Sequence, residues 1–113
     1  GMTLYDLHAE VGRTAAEALA KFGAPAADIL IEALRHPEAA IRQNAATGLG
    51  MIQDLSVTPA LIEALRDPDR EVVRQSILGL GKLKDPRALP ALREIANSRA
   101  DKELAALAKR ALG

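Results

Sequence analysis

Apolar residues recur along the chain at intervals of three or four positions, which is the spacing of amphipathic helices. No segment shows the alternation of apolar and polar residues that is typical of a strand. Proline, which cannot continue a helix, interrupts the pattern after His36, Thr58, Asp67 and Asp85. The pattern predicts an all-α chain of about seven helices, at residues 4–22, 26–35, 38–52, 59–66, 69–83, 87–97 and 100–112.

Part of the chain repeats itself at a shift of 31 residues. The sequence LIEALR occupies both 30–35 and 61–66, and the tripeptide GLG occupies both 48–50 and 79–81. Each unit is predicted to fold as a helix, a tight turn and a second helix. Such units bury a continuous core only by stacking on their neighbours. We therefore predict a single domain over residues 2–113, with repeats at 24–54, 55–85 and 86–113.

The first predicted helix, residues 4–22, is interpreted as a half-repeat that caps the stack. Its apolar residues fall on one stripe, and they are Leu4, Leu7, Val11, Ala15, Ala18, Leu19 and Phe22. Gly1 precedes Met2 in the manner of a residue left after tag cleavage, so the predicted domain begins at Met2.

The core must be built from Leu, Ile, Val and Ala, because Tyr5 and Phe22 are the only aromatic residues. Burial of one Leu or Ile side chain contributes about 1.5–3 kcal/mol to stability. The large residues predicted to carry most of this contribution are Leu34, Leu49, Leu65, Leu80, Leu92 and Ile95.

The second helix of each unit follows a pattern of an apolar residue, Arg, a pair of Ala residues and a small-Leu-Gly ending, as in residues 41–50. With the Asp-Pro turns, this pattern resembles the HEAT repeat family, in particular the short HEAT-like repeats of phycobiliprotein lyase subunits. The resemblance covers residues 11–113. It implies a right-handed α-α superhelix, the armadillo/HEAT type of solenoid, whose second helices line a concave face. Val73 stands where the family prefers Arg, and Arg74 follows it, so we expect a rearranged polar ladder there.

Composition narrows the function further. The 15 basic and 15 acidic residues balance, so the overall charge does not indicate a nucleic-acid or membrane partner. Cysteine is absent, which excludes disulfides and thiolate chemistry. No apolar run has the length of a membrane span. We expect a cytoplasmic protein.

The sequence contains few groups suited to catalysis or metal binding. His8 and His36 are the only histidines, and each is separated by one residue from a glutamate, at Glu10 and Glu38. The HEAT-like enzyme deoxyhypusine hydroxylase binds iron through adjacent His-Glu pairs, so this arrangement does not match it. The glycines at 48–50 and 79–81 lack the Gly-Lys-Ser/Thr ending of a phosphate loop and are expected to allow close helix packing. We therefore expect that the protein is not an enzyme and that it binds neither a metal nor a cofactor.

Helical-wheel geometry predicts where a partner protein binds. Rotation by 100° per residue places Ile41, Ala45 and Leu49 on the buried side of their helix and leaves other positions facing outward. The outward positions of successive second helices form a ridge, which we predict to be the partner-binding surface. Its residues are Arg13, Glu17, Gln43, Thr47, Arg74, Leu78 and Arg110, and Gly50 and Gly81 are predicted to face outward with them. Leu78 beside Arg74 is the expected anchor, unless it packs beneath a neighbouring helix or is simply an isolated exposed leucine.

Three functions fit these observations. The first is a non-catalytic protein-interaction module or scaffold, and the second is an accessory or regulatory subunit of an enzyme of the lyase type. Residues 1–54 carry a net charge of −3 and residues 55–113 a net charge of +3. The basic half suggests weak nucleic-acid binding as the third function, although this half has no aromatic residue on which bases could stack.

The ends of the repeat array provide an alternative contact surface. Ala105 and Leu112 are predicted to face the open end of the stack. Together with the opposite charges of the two halves, they suggest weak homo-oligomerisation through the repeat ends.

Overall fold

The computed structural model describes residues 24–113, and this part of the chain is entirely helical, with six α-helices and no strand. We label the helices α1 (Ala24–Ala33), α2 (Ala39–Met51), α3 (Thr58–Ala64), α4 (Arg70–Leu83), α5 (Leu89–Ala96) and α6 (Lys102–Leu112). The prediction of an all-α chain is therefore confirmed. The predicted capping helix at 4–22 lies outside the described residues.

The boundaries of the six helices agree with the predicted ones to within two residues. Two short 3-10 turns were not predicted: Leu55–Val57 precedes α3, and Pro86–Ala88 precedes α5. An aspartate begins each turn: the Asp54 and Asp85 carboxylates accept the backbone N–H of the residue two positions later, both at 2.9 Å. The turn that Asp85 begins stands where an α-helical start was predicted, at residue 87.

Aspartate also begins two of the second helices. The Asp69 carboxylate accepts the N–H of Val72 at 3.1 Å and caps α4. The Asp101 carboxylate accepts the N–H groups of Glu103 and Leu104 and caps α6. A carboxylate at this position satisfies free N–H groups and is also favoured by the helix dipole.

The helices form two layers. The first helices, α1, α3 and α5, make one layer, while α2 packs on α4 and α4 packs on α6 in the other. Grooves of about 260 and 220 Å³ separate the first helices. The second helices approach more closely, because Gly50 of α2 lies against Gly79 of α4. The two layers thus differ in how closely neighbouring helices approach each other.

The core runs between the two layers along the length of the described part. Of the predicted core residues, Leu49, Leu80 and Leu92 are at most 1% exposed, and Leu65 is buried as well. Leu34 and Ile95 are only partly buried and pack against the edge of the core. Leu30, Leu61 and Ile77 are fully buried and complete it.

Candidate partner-binding face

A buried ion pair holds the first helix pair against the second. The guanidinium of Arg42 on α2 donates to both oxygens of Asp67, at 2.9 Å from Nε and 3.3 Å from Nη2. Its Nη1 atom also donates to the backbone carbonyls of His36 and Pro37. The side chains of Arg42 and Asp67 are only 14% and 10% exposed. This geometry fixes the turn before α2 and the turn before α4 relative to each other.

The interface between α4 and α6 uses a different set of charged residues. This rearrangement was expected, because Val73 occupies the position where the repeat pattern has Arg. Here Arg70, at the start of α4, donates to Asp101 at 2.5 Å and contacts Glu103 at 3.1 Å. Arg74 pairs with Glu71 at 3.1 Å on its own helix and lies 3.9 Å from Glu103. These side chains are more exposed than Arg42 and Asp67. The polar ladder thus moves from the interior of the stack to its surface.

The exposed surface of α2, α4 and α6 is called the second-helix face below. Between α2 and α4 it contains a groove of about 440 Å³, the central groove. The groove is lined by Thr47, Gly50, Met51, Arg74, Gln75, Leu78, Gly79 and Lys82. Met51 and Leu78 contribute large apolar side chains from the two helices, and they are 42% and 37% exposed. Gly50 and Gly79, which also line the groove, bring its two walls close together.

The central groove brings together three of the predicted partner-binding residues, Thr47, Arg74 and Leu78. Gln43 lies on the same side of α2, but its amide donates to Asp69 at 2.9 Å and so joins α2 to the cap of α4. The hydroxyl of Thr47 donates to the carbonyl of Gln43 within α2.

Arg110 is exposed but lines a second groove, of about 470 Å³, at the C-terminal end of α4 and α6. This end groove is lined by Leu80, Gly81, Lys84, Asp85, Pro86, Leu89, Leu92, Arg110, Ala111, Leu112 and Gly113. The remaining predicted residues, Arg13 and Glu17, lie outside the described residues.

Three predicted orientations are wrong. Gly50 is buried against Gly79, and Gly81 is half-buried with Ala111 beside it, so neither glycine faces outward. Ala105 is also buried, at 7% exposure, and so offers little surface at the open end of the stack. A second helix packs on its own first helix and also on the second helices of neighbouring repeats, as α6 packs on α4, whereas the wheel considered only its own first helix. The expectation that these glycines allow close helix packing is confirmed for Gly50 and Gly79.

Four residues that line the central groove, Met51, Gln75, Gly79 and Lys82, were not among the predicted ones. Two of them follow a predicted residue by four positions, since Met51 follows Thr47 and Lys82 follows Leu78. Residues four apart lie on the same side of a helix. Extension of the predicted ridge by one turn on each helix would have found Met51 and Lys82 but not the other two.

The described residues do not converge on a catalytic or metal-binding arrangement. Within residues 24–113 no group of three or more His, Asp or Glu side chains could hold a metal ion. His36 accepts the backbone N–H of Glu38 at 3.0 Å through Nδ1, which orders the turn before α2. Along the same stretch, none of the helices combines the length and the apolar character needed to cross a membrane.

Helix pairs joined by tight turns, each packed on its neighbours along the chain, define an α-solenoid. Residues 27–113 match the HEAT repeats family, and residues 11–36 match the PBS lyase HEAT-like repeat. The chain therefore belongs to the HEAT repeat family. HEAT repeats are generally non-catalytic modules that mediate protein interactions. A comparison with curated proteins finds no match.

Proposed function

We propose that this chain is a non-catalytic protein-interaction module that binds a partner protein on its second-helix face, at the central groove. One observation carries the proposal: Met51 and Leu78 expose large apolar side chains on the two walls of the same groove. Isolated exposed apolar residues are common on protein surfaces, but two that share a concave site favour a contact surface. Burial of both side chains under a partner would supply binding free energy at its centre.

The exposure of Leu78 also favours the proposal over one alternative. A leucine that packed beneath a neighbouring first helix would be buried, whereas Leu78 is 37% exposed. Arg74 beside it keeps N–H groups available, since a guanidinium has five and the structure gives Arg74 one hydrogen bond within the described residues, to Glu71. Leu78 and Arg74 together offer an apolar contact and a hydrogen-bonding contact next to each other.

The same face would serve an accessory or regulatory subunit of an enzyme, since that function differs from a general interaction module only in the identity of the partner. Self-association through the repeat ends stays a separate prediction. The burial of Ala105 removes one of the two residues on which that prediction was based.

A comparison of two exposed leucines tests the proposal. Leu78→Ser removes an apolar wall of the central groove, while Leu55→Ser alters a leucine that is 55% exposed but lies outside it. Proteins captured from the source cell's lysate would be quantified for the wild type and both variants. We expect partners that Leu78→Ser loses and Leu55→Ser retains. Equal capture by all three proteins would contradict a role for the groove.

Arg74 needs a neutral substitution in the same experiment. Arg74→Glu would place a third carboxylate beside Glu71 and Glu103 and would disturb α4 and α6 by charge repulsion. Arg74→Gln removes the charge without this repulsion. We expect Arg74→Gln to weaken capture less than Leu78→Ser, because Arg74 is already paired within the protein.

A further inference from the structure

The charges on the second-helix face are separated along the helix axes. At the N-terminal end of the face, Arg70 and Arg74 are paired with Glu71, Asp101 and Glu103. The two arginines and three carboxylates leave one net negative charge. An acidic partner therefore gains nothing from approaching the face at this end.

The C-terminal end of the face carries basic side chains without such partners. Lys82, Lys84 and Arg110 are exposed, and none of them forms an ion pair with another described residue. Lys82 lines the central groove, and the other two line the end groove. The acidic side chain that lines the end groove, Asp85, is buried and accepts hydrogen bonds from the Arg87 guanidinium at 2.7 and 2.9 Å.

We infer that the partner presents an acidic segment with a large apolar side chain to this face, an inference that rests on the function proposed above. The apolar side chain lies between Met51 and Leu78 in the central groove. Carboxylates that follow it lie against Lys82 and then Arg110. Charge complementarity favours this occupant, because Lys82 in the central groove and Lys84 and Arg110 in the end groove are basic side chains without an ion-pair partner among the described residues.

The spacing of these positions fits an extended segment that runs along α4 for one turn and then crosses to α6. Leu78 and Lys82 are one helical turn apart, about 6 Å along α4. Arg110 lies on the neighbouring helix, and packed helices are about 8–10 Å apart. Two residues of an extended chain span about 6–7 Å, and three span about 10 Å. The segment thus needs an acidic residue about two positions from its apolar anchor and another about three positions further on.

The apolar walls favour a protein segment over a nucleic acid. Binding of single strands normally uses aromatic side chains on which the bases stack. Residues 24–113 contain no Phe, Tyr or Trp. The anchoring groove instead presents a methionine and a leucine, which contact aliphatic or aromatic side chains of a protein; methionine also adapts its shape to different side chains.

Selection from a random peptide library displayed on phage tests this inference without knowledge of the natural partner. The wild-type protein is the target, and the selected peptides are then measured as synthetic peptides against variants. Lys82→Glu with Arg110→Glu reverses the charge of the C-terminal end of the face. Lys102→Glu with Arg93→Glu is the matched control, since it makes the same change of charge at exposed positions that line neither groove.

We expect the selected peptides to be acidic and to contain Leu, Met or Phe. Their affinity should fall by about tenfold or more in the Lys82→Glu/Arg110→Glu variant and stay within about twofold in the control. Neutral or basic peptides, or equal loss of affinity in both charge variants, would overturn the inference. Circular dichroism on every variant confirms that the helices are retained.

The Leu78→Ser variant separates the two proposals. If it weakens peptide binding while the Lys82→Glu/Arg110→Glu variant does not, the groove binds a partner but the acidic segment is wrong. If neither change weakens binding, or if no peptide is selected, both proposals fail. Tighter binding of a single-stranded DNA oligonucleotide, lost on Lys82→Glu/Arg110→Glu, would assign the face to nucleic acid and would also overturn the inference.

Discussion

Gly50 and Gly79 lie so close that a Cβ atom added to Gly79 would be 2.9 Å from the Cα of Gly50. The same atom would be 3.1 Å from Cδ1 of Leu61, on the first helix of the same unit. Any side chain at position 79 therefore meets backbone on one side and the core on the other. The glycine is required by the contact between α2 and α4 and not by an unusual backbone angle.

Gly79→Ala should destabilise the protein. Overpacking costs about 1–3 kcal/mol, and the better helix propensity of alanine returns up to about 1 kcal/mol. We expect a net loss of about 1–2 kcal/mol in the free energy of unfolding, measured by urea denaturation. Gly81→Ala is the control: its Cβ would meet the Ala111 side chain at 3.2 Å near the helix ends, where a small shift is easier. An equal effect of both substitutions would contradict this explanation.

Arg42→Ala should be among the more destabilising substitutions of a charged residue. It leaves Asp67 buried without its partner and also leaves the carbonyls of His36 and Pro37 without their donor. Removal of one member of a largely buried pair costs about 3 kcal/mol. A double-mutant cycle with Asp67→Ala should show coupling of about 1 kcal/mol or more. Arg66→Ala, at an exposed position, should change stability by less than about 0.5 kcal/mol.

Asp85 should make stability depend on pH in the acidic range. The Arg87 side chain, and next its backbone N–H, lower the pKa of Asp85 from 3.8 to about 2. A carboxyl whose pKa is lower in the folded than in the unfolded state stabilises the fold above about pH 4, and this contribution is lost as the pH falls toward about 2. Asp85→Asn should therefore be less stable than the wild type at neutral pH, and the difference should shrink as the pH falls.

Urea midpoints at about pH 7, pH 4 and pH 2 measure this effect. Glu94→Gln, at an exposed carboxyl of α5, is the matched control and should show a difference from the wild type that stays small throughout. A constant difference between the wild type and Asp85→Asn at all three values would show that the ion pair with Arg87 has no influence on the fold.

Met51→Ala should weaken partner binding about as much as Leu78→Ala. Truncation of a central apolar contact typically costs more than 1 kcal/mol of binding free energy, or about fivefold or more in affinity. The measurement is the affinity for a partner or a selected peptide, with Leu55→Ala as the control. If Met51→Ala and Leu55→Ala have the same affinity, only the α4 side of the groove takes part.

The helices could be predicted from the sequence because their signals are local. Proline and aspartate at the turns, together with the repeat of LIEALR, place the described helix ends within two residues. The 3-10 turns were missed because each depends on one local hydrogen bond, from the backbone N–H of Ser56 or Arg87 to an aspartate two residues earlier. This hydrogen bond does not change the pattern of apolar residues in the sequence. A helical periodicity does not distinguish these turns from the first turn of an α-helix.

The proposed binding face was only partly predictable, because it depends on how successive repeats pack. Leu78 was identified correctly as exposed, since its neighbours on the wheel are polar. The burial of Gly50 and the hydrogen bond from Gln43 to Asp69 arise from the approach of α2 to α4. Neither follows from the periodicity of a single helix. Interfaces between repeats need the relative position of two helices, which a single sequence does not give.

The difference between the two layers has a mechanical consequence. The contact between Gly50 and Gly79 joins the second helices at the backbone, so this layer has little room to shorten. The first helices α1, α3 and α5 approach one another less closely within the described residues. We expect any bending of the stack to change the spacing of the first helices more than the spacing of α2 and α4 at the glycine contact. A partner bound between Met51 and Leu78, as proposed, would then lie where bending changes the spacing of the two walls least.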